Sequence, residues 1–384
     1  MVRIWQRAFW MLAVLFPVMC FAADTENLPE VSVVIPIYNG KTYLARSLNS
    51  VLNQSFKNLE IVCVDDGSTD GSLEILKQYA ARDPRIVILE NGINRGTLYA
   101  RLRGILCSNS KYIMTLDCDD EFLPGIIVKA HEIATEHHAD IVHFGSKFVD
   151  RQGKEWRQRQ TRRPILAVLD GQKAVDTFVN IRNVFLWDKM FARGPILAAA
   201  RYLFPWAEQH HVVCGEDTIT LAFTTKNIRR YVGIEDLGYS HSSSTGTTAE
   251  LRQCPAKFFR MLSSHHQAYL KMAIGMVELG DPTRAALLLR RFRAPFYEHI
   301  VTLQLPEGVD LLSKYIAPMP PDMRLKVARQ MRCASPGWCR KIHQLARTLQ
   351  SEIHTGGTPE NKIVASTLPM TFKQQAFAKS PLDS

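Results

Sequence analysis

The stretch Asp117-Cys118-Asp119-Asp120-Glu121 sets four carboxylates at the end of an apolar run, Tyr112–Leu116. Carboxylates crowded in this way repel one another and are costly to take out of water. A fold keeps them where a cation or a polar ligand sits. Hard oxygen donors suit Mn²⁺ or Mg²⁺ carrying a substrate's phosphates. An acidic turn that caps the following helix is the alternative.

A second acidic turn, Asp65-Asp66-Gly67-Ser68-Thr69-Asp70-Gly71-Ser72, follows the apolar run Leu59–Val64. Its spacing partly matches a calcium loop starting at Asp66. The position that requires a bidentate glutamate is Lys77, however, and the flanks read strand then helix, so calcium is rejected. Asp70 or Ser72 is placed to cap a helix starting near Leu73. A third segment, Asn94-Arg95-Gly96 through Ala100-Arg101, opens a helix from a glycine-bearing loop. A helix amino end with arginine nearby can hold phosphate; an ordinary loop and a solvated helix read equally well.

The elements that must position these groups follow from the apolar pattern. Val31–Ile37 is rich in β-branched residues, as a strand buried on both faces requires. Pro36 cannot donate to a ladder, so the strand is expected to end or bulge there. Asn39-Gly40 then turns the chain into a helix over Tyr43–Asn53. Strand–helix units recur over Val31–Ala45, Leu59–Tyr79, Ile86–Ile105 and Tyr112–His137, and a strand follows near Ile141–Phe144. Such alternation predicts an α/β fold with a mainly parallel sheet between helices. The polar strand ends should then share one edge, where open α/β sheets bind ligands.

In order and spacing, Val33-Val34-Ile35-Pro36-Ile37-Tyr38-Asn39, Asp65–Asp70, Asn94-Arg95-Gly96 with Ala100-Arg101, and Asp117-Cys118-Asp119-Asp120 resemble the family 2 glycosyltransferases. Trp187-Asp188-Lys189-Met190-Phe191 and Gly215-Glu216-Asp217 resemble later segments of that family, so the likeness runs from about Pro29 to Thr248. It implies a GT-A fold and a nucleoside-diphosphate-sugar donor. Pro36, Tyr38 and Asn39 would lie along the base and ribose, Asp66 would hold the uracil or its equivalent, and Asp117 would touch the ribose. Asn94, Arg95, Gly96 and Arg101 complete the donor-side set. Asp119 would bind the divalent ion, with Asp120 close by. Asp217 would be the base that deprotonates the acceptor hydroxyl, with Glu216 as alternative base or orienting group. Read without the family, Glu216-Asp217-Thr218 simply starts a helix over Thr218–Thr225. Lys189 is either a phosphate contact or solvated. His241, standing where the family often has a basic residue, is either a ligand to Mn²⁺ or a hydrogen-bonded loop histidine.

The chain has 384 residues and a net charge of +10, enough for two or three domains. Expected boundaries are a signal peptide or signal anchor over 1–23, a catalytic domain over 29–250, an α-helical appendage over 251–354, and a polar tail over 355–384. The apolar run Ala8–Ala23 after Arg3 and Arg7 is short for a spanning helix. It exports the protein or holds it at the membrane, with the cytoplasmic face of an inner membrane as the alternative. Basic clusters at Arg151–Arg163 and Arg284–Arg293 could meet an anionic lipid surface or acceptor, or could be solvated faces. No nucleic-acid motif accompanies the charge. Cys63, Cys107 and Cys118 read as buried thiols, and a Cys333–Cys339 bridge is conceivable.

The expected activity is inverting, metal-dependent transfer from a UDP-type sugar to a hydroxyl of a glycan or lipid-linked acceptor. An exported, non-catalytic glycan- or nucleotide-binding protein on the same fold is the alternative. A sugar nucleotidyltransferase would want a glycine-rich phosphate loop after the first strand, which Tyr38-Asn39-Gly40-Lys41 lacks.

Overall fold

The computed structural model describes residues 28–150, 154–157, 163–181 and 183–242, together with parts of 264–281 and residue 347. The chain divides into two compact units, Met1–Tyr269 and Leu270–Ser384. Expectations for residues 1–23, the Cys333–Cys339 bridge and the tail lie outside the described residues. Among the described residues, no helix is long and apolar enough to cross a membrane.

The first unit begins with three strand–helix repeats: β1 (Val31–Ile37), α1 (Lys41–Leu52), β2 (Leu59–Asp65), α2 (Ser72–Ala80), β3 (Ile86–Glu90) and α3 (Thr97–Cys107). There follow β4 (Tyr112–Thr115), β5 (Glu121–Phe122), α4 (Ile126–Glu136), β6 (Ile141–Val149), β7 (Glu155–Arg157), β8 (Val168–Asp170) and α5 (Gly171–Ile181). The last elements are β9 (Lys189–Ala192), α6 (Arg193–Ala207), α7 (Glu216–Thr224) and β10 (Arg230–Ser242). One sheet runs in the order β3-β2-β1-β4-β9-β6-β10-β5, with β7 on β6 and β8 on β10. The β3-β2-β1-β4 half is parallel. β9 is antiparallel to both β4 and β6, and β10 is parallel to β6.

Every residue of β1 is buried, because helices cover both faces of the sheet at its centre. The apolar runs of β1, β2 and β4 have no alternation for the same reason. The strand neither ends nor bulges at Pro36. Ile37 carbonyl accepts from Asp66 N on the β2 edge, and Val34 carbonyl accepts from Leu116 N on the β4 edge. Alternation turns Pro36 toward the β4 edge, beyond the last register pair Val34–Thr115, where no donor is asked of it. Helix α3 lies hard against the sheet through Gly104: a Cβ there would come within 2.4 Å of Val34 Cγ1.

The strand order reverses between β1 and β4, whose neighbours β2 and β9 lie on opposite sides. Ligand crevices of open α/β sheets form at such a switch point, outside the carboxyl ends of the strands. Tyr38-Asn39 follow one of these ends and Asp117–Asp120 the other. The strand at 141 runs on to Val149, and β9, a reversed strand between two parallel blocks, makes the mainly parallel sheet a mixed one.

Candidate active site

The turn after β2 holds the turn after β1. Asn39 sits at φ +52°, donates its N–H to Ser68 Oγ (3.1 Å) and accepts from Thr69 N (2.8 Å). Asp70 caps two helices at once: its Oδ2 accepts from Lys41 N at the start of α1, and its Oδ1 accepts from Ser72 N and Ser72 Oγ at the start of α2. The polar turn Asp65–Ser72 is thus mostly scaffold. Pro36 is buried, whereas the Tyr38 ring is 48% exposed and stands open at the crevice.

Asp66 is buried and bonded to the loop after β3. It accepts from Asn91 Nδ2 (2.7 Å), Arg95 N (3.0 Å) and Gly96 N (2.9 Å). Burial pushes its carboxyl up, against the pull of those three donors. Gly67 and Gly96 let backbones close here. At φ +74°, a Cβ on Gly67 would meet Ile93 C at 2.6 Å, and at φ +94° one on Gly96 would meet Val212 O at 2.8 Å. Asn94 Oδ1 meets His211 Nε2 at 2.8 Å, so this loop touches the segment that leads into α7. The Arg95 guanidinium lies over the Tyr99 ring, 5.1 Å from its centroid, and Tyr99 stacks on Phe204.

Arg101 gathers the carboxylates. Its side chain is 1% exposed. One terminal nitrogen donates to Asp117 Oδ1 at 2.7 Å; the other donates to Asp217 Oδ1 at 2.7 Å and reaches Glu216 Oε1 at 3.4 Å. Arg101, expected on the donor side, thus has carboxylates on both of its amino groups. Glu216 and Asp217 form the first turn of α7, which starts two residues before the expected Thr218. Gly215 precedes it at φ +84°, where a Cβ would lie 2.5 Å from His265 Cδ2. Ser264 Oγ accepts from Val213 N and Cys214 N, fixing the same loop from behind. Burial raises the carboxyls of both Glu216 and Asp217; for Asp217, Arg101 opposes this, while Glu216 and Asp117 add to it.

Two expected site residues have other partners. Lys189 is fully buried and is neither solvated nor aimed at a ligand: its Nζ donates to Asn183 Oδ1 (2.7 Å), Phe185 O (2.6 Å) and Asp188 Oδ1 (2.5 Å). His143 Nε2 lies 3.3 Å from Asp188 Oδ2, and burial pushes that imidazole down to about 4. Asp120 is also fully buried. It accepts from Tyr239 OH (2.8 Å), His241 Nδ1 (2.9 Å) and Ser242 N (2.8 Å), latching the end of β10 to the acidic turn. Asp120, expected beside the metal, has both carboxylate oxygens engaged in that latch. His241 is stacked parallel to Trp187, which also stacks on Tyr239 at 4.3 Å. Burial works against a charged His241, but Asp120 outweighs it and the imidazole is raised.

A divalent ion can be tested against this donor set. Among the described residues, no group of three or more His, Cys, Asp or Glu side chains could hold a metal. Asp119 is half-buried at the crevice, and His241, with Nδ1 committed to Asp120, has Nε2 as its second ring nitrogen. That set fits an ion that arrives with phosphate oxygens and takes only one or two protein ligands.

Residues 32–196 match the profile of glycosyl transferase family 2. The chain resembles that family over this stretch, which is less than half of its length. An uncharacterized glycosyltransferase of Haemophilus influenzae is 32% identical over 149 residues, which are 38% of this chain and 60% of that protein. The uncharacterized glycosyltransferase YibD of Escherichia coli is 34% identical over 135 residues, 35% of this chain and 39% of that protein. A poly(ribitol-phosphate) beta-glucosyltransferase of Bacillus spizizenii is 33% identical over 127 residues, 32% of this chain and 20% of that protein. The chain thus spans under two thirds of each of these curated relatives. In fold, it is similar to S. aureus TarS 1–349 in its complex with UDP-GlcNAc: the TM-score is 0.58 and the identity 18%, over 87% of this chain and 94% of that one. The fold is therefore of the GT-A type. Glu216, Asp217 and His241 lie beyond the family 2 match, so their part in the site rests on the geometry above.

No sequence signal marked Ser264, His211 or the Asp120 latch. Each depends on a contact between segments distant in the chain.

Proposed function

We propose that this chain is an inverting, metal-dependent glycosyltransferase, moving a sugar from a nucleoside-diphosphate sugar of the UDP type to a hydroxyl of a glycan or lipid-linked acceptor. One observation carries the proposal: the first turn of α7 delivers Asp217 to the guanidinium that also holds Asp117, beside the switch-point crevice. The resemblance to family 2 supports the donor class.

Tyr38 and Asn39 flank the base and ribose, and Asp66 shapes the loop that receives the base. Asp117 faces the ribose. Asp119 and His241 are the residues that would hold a divalent ion, which would offset charge developing on the leaving diphosphate. Asp217 takes the proton of the acceptor hydroxyl. The acceptor oxygen then bonds to the anomeric carbon as the carbon–phosphate-oxygen bond breaks on the opposite face, which inverts that carbon and frees the nucleoside diphosphate. Because burial raises the Asp217 carboxyl, the base is competent only above the usual carboxylate range, so turnover should rise with pH there. The amino-terminal apolar run then serves to export the protein or to hold it near a lipid-linked acceptor.

Calorimetric titration of UDP with and without Mn²⁺ tests the donor side. Wild type should bind more tightly with Mn²⁺, and Asp119→Ala should lose that gain. Binding of UDP with no effect of either change would remove the metal from the account.

A further inference from the structure

The planar fork of a guanidinium fits one carboxylate at two points. Arg101 divides its fork between two parts of the site instead. Asp117 lies two residues beyond the end of β4, whereas Asp217 and Glu216 open α7. The Nε of Arg101 is buried and has no hydrogen-bond partner among the described residues. The guanidinium is held through its two terminal nitrogens, one on each part of the site.

The helix beneath is built for the same placement. Gly104, one turn along the buried face of α3 from Arg101, removes the side chain that would hold the helix away from β1 and β2. A guanidinium seated this deep is fixed by the sheet, not by a mobile loop. With three carboxylates around one guanidinium, the cluster holds more acids than the arginine can neutralise, and Glu216 and Asp217 hold their protons to higher pH than ordinary carboxyls.

We infer that Arg101 is a positioning residue for transfer: it holds the base Asp217 in register with the donor-facing Asp117, and it does not itself bind the nucleotide. This inference rests on the glycosyltransferase proposal above and goes beyond it by naming what joins the donor and acceptor halves. The charged groups facing Asp217 are Arg101 from α3, Asp117 from the end of β4, Lys189 from β9 and its own neighbour Glu216. Losing the guanidinium removes the nearest positive charge from the base.

The test uses the full chain with Arg101→Lys and Arg101→Met, each also combined with Asp217→Asn. UDP affinity, the kcat and donor KM of transfer, and the pH profile are read for each. For Arg101→Met, kcat should fall about 100-fold, as expected when a reacting group is misplaced by an ångström or so. Arg101→Lys, which keeps a charge, should recover part of that loss and serves where the methionine variant does not fold. The rising limb of the pH profile should move to higher pH, while UDP affinity stays within about 2-fold. In the Asp217→Asn background, Arg101→Lys should add almost nothing. UDP affinity falling in step with kcat/KM would make Arg101 a nucleotide ligand and overturn the inference. So would full additivity with Asp217→Asn. A wild-type protein with no turnover would overturn the glycosyltransferase proposal itself, an outcome distinct from either.

Discussion

Asp217→Asn should cut transfer by about 10²–10⁴-fold, the range that a positioned general base contributes. The substitution keeps an oxygen for Arg101 to donate to, so the ion-pair geometry around Asp117 survives in hydrogen-bonded form. UDP affinity should therefore hold, and the loss should fall in kcat. The rising limb of the wild-type pH profile should vanish from the residual activity, because that limb reports deprotonation of Asp217. The sign follows from the site: burial and the neighbouring carboxylates hold the proton on, so loss of the proton comes late as pH rises. If activity survives Asp217→Asn and falls with Glu216→Gln, the roles of the two acids are exchanged.

The second large effect is on stability. Asp120→Ala removes a buried carboxylate and strands Tyr239 OH, Ser242 N and His241 Nδ1 together. Tyr239 is itself fully buried, so water cannot replace the lost acceptor there. The expected cost is about 3 kcal/mol. For a unit of this size that corresponds to a fall in Tm of about 6–12 °C, readable by calorimetry. Were Asp120 a ligand to the ion and not a latch, the same variant would lose the Mn²⁺ dependence of UDP binding with Tm unchanged.

These two residues mark where the sequence was informative and where it was not. The β1, β2 and β4 runs were legible because strands buried on both faces are mostly apolar, with single polar residues such as Ser32 and Thr115 among them. The turns after them were legible because Asn39, Gly67 and Gly96 sit at positive φ, where few residue types are tolerated. Roles within the acidic turn were not legible. Asp119 and Asp120 are adjacent and chemically the same, and only β10, more than a hundred residues later, decides which of them is taken. Lys189 misled for a related reason: a lysine between Asp188 and Met190 reads as a surface charge, yet the buried carboxylate of Asp188 draws it inside. Arg101 appeared as one basic residue on a solvated or phosphate-binding helix. Its function as the junction of β4 and α7 exists only once α3 has packed over Gly104.

The central claim is that this crevice turns over a nucleotide sugar. The most direct measurement is release of nucleotide by the full chain from a panel of UDP- and GDP-sugars, with and without Mn²⁺, beside Asp217→Asn. Metal-dependent release from one UDP-sugar, stimulated by acceptor and lost in the variant, is the expected result. Tight UDP binding with no release from any donor, in wild type and variant alike, would contradict it and leave a binding protein built on a glycosyltransferase fold.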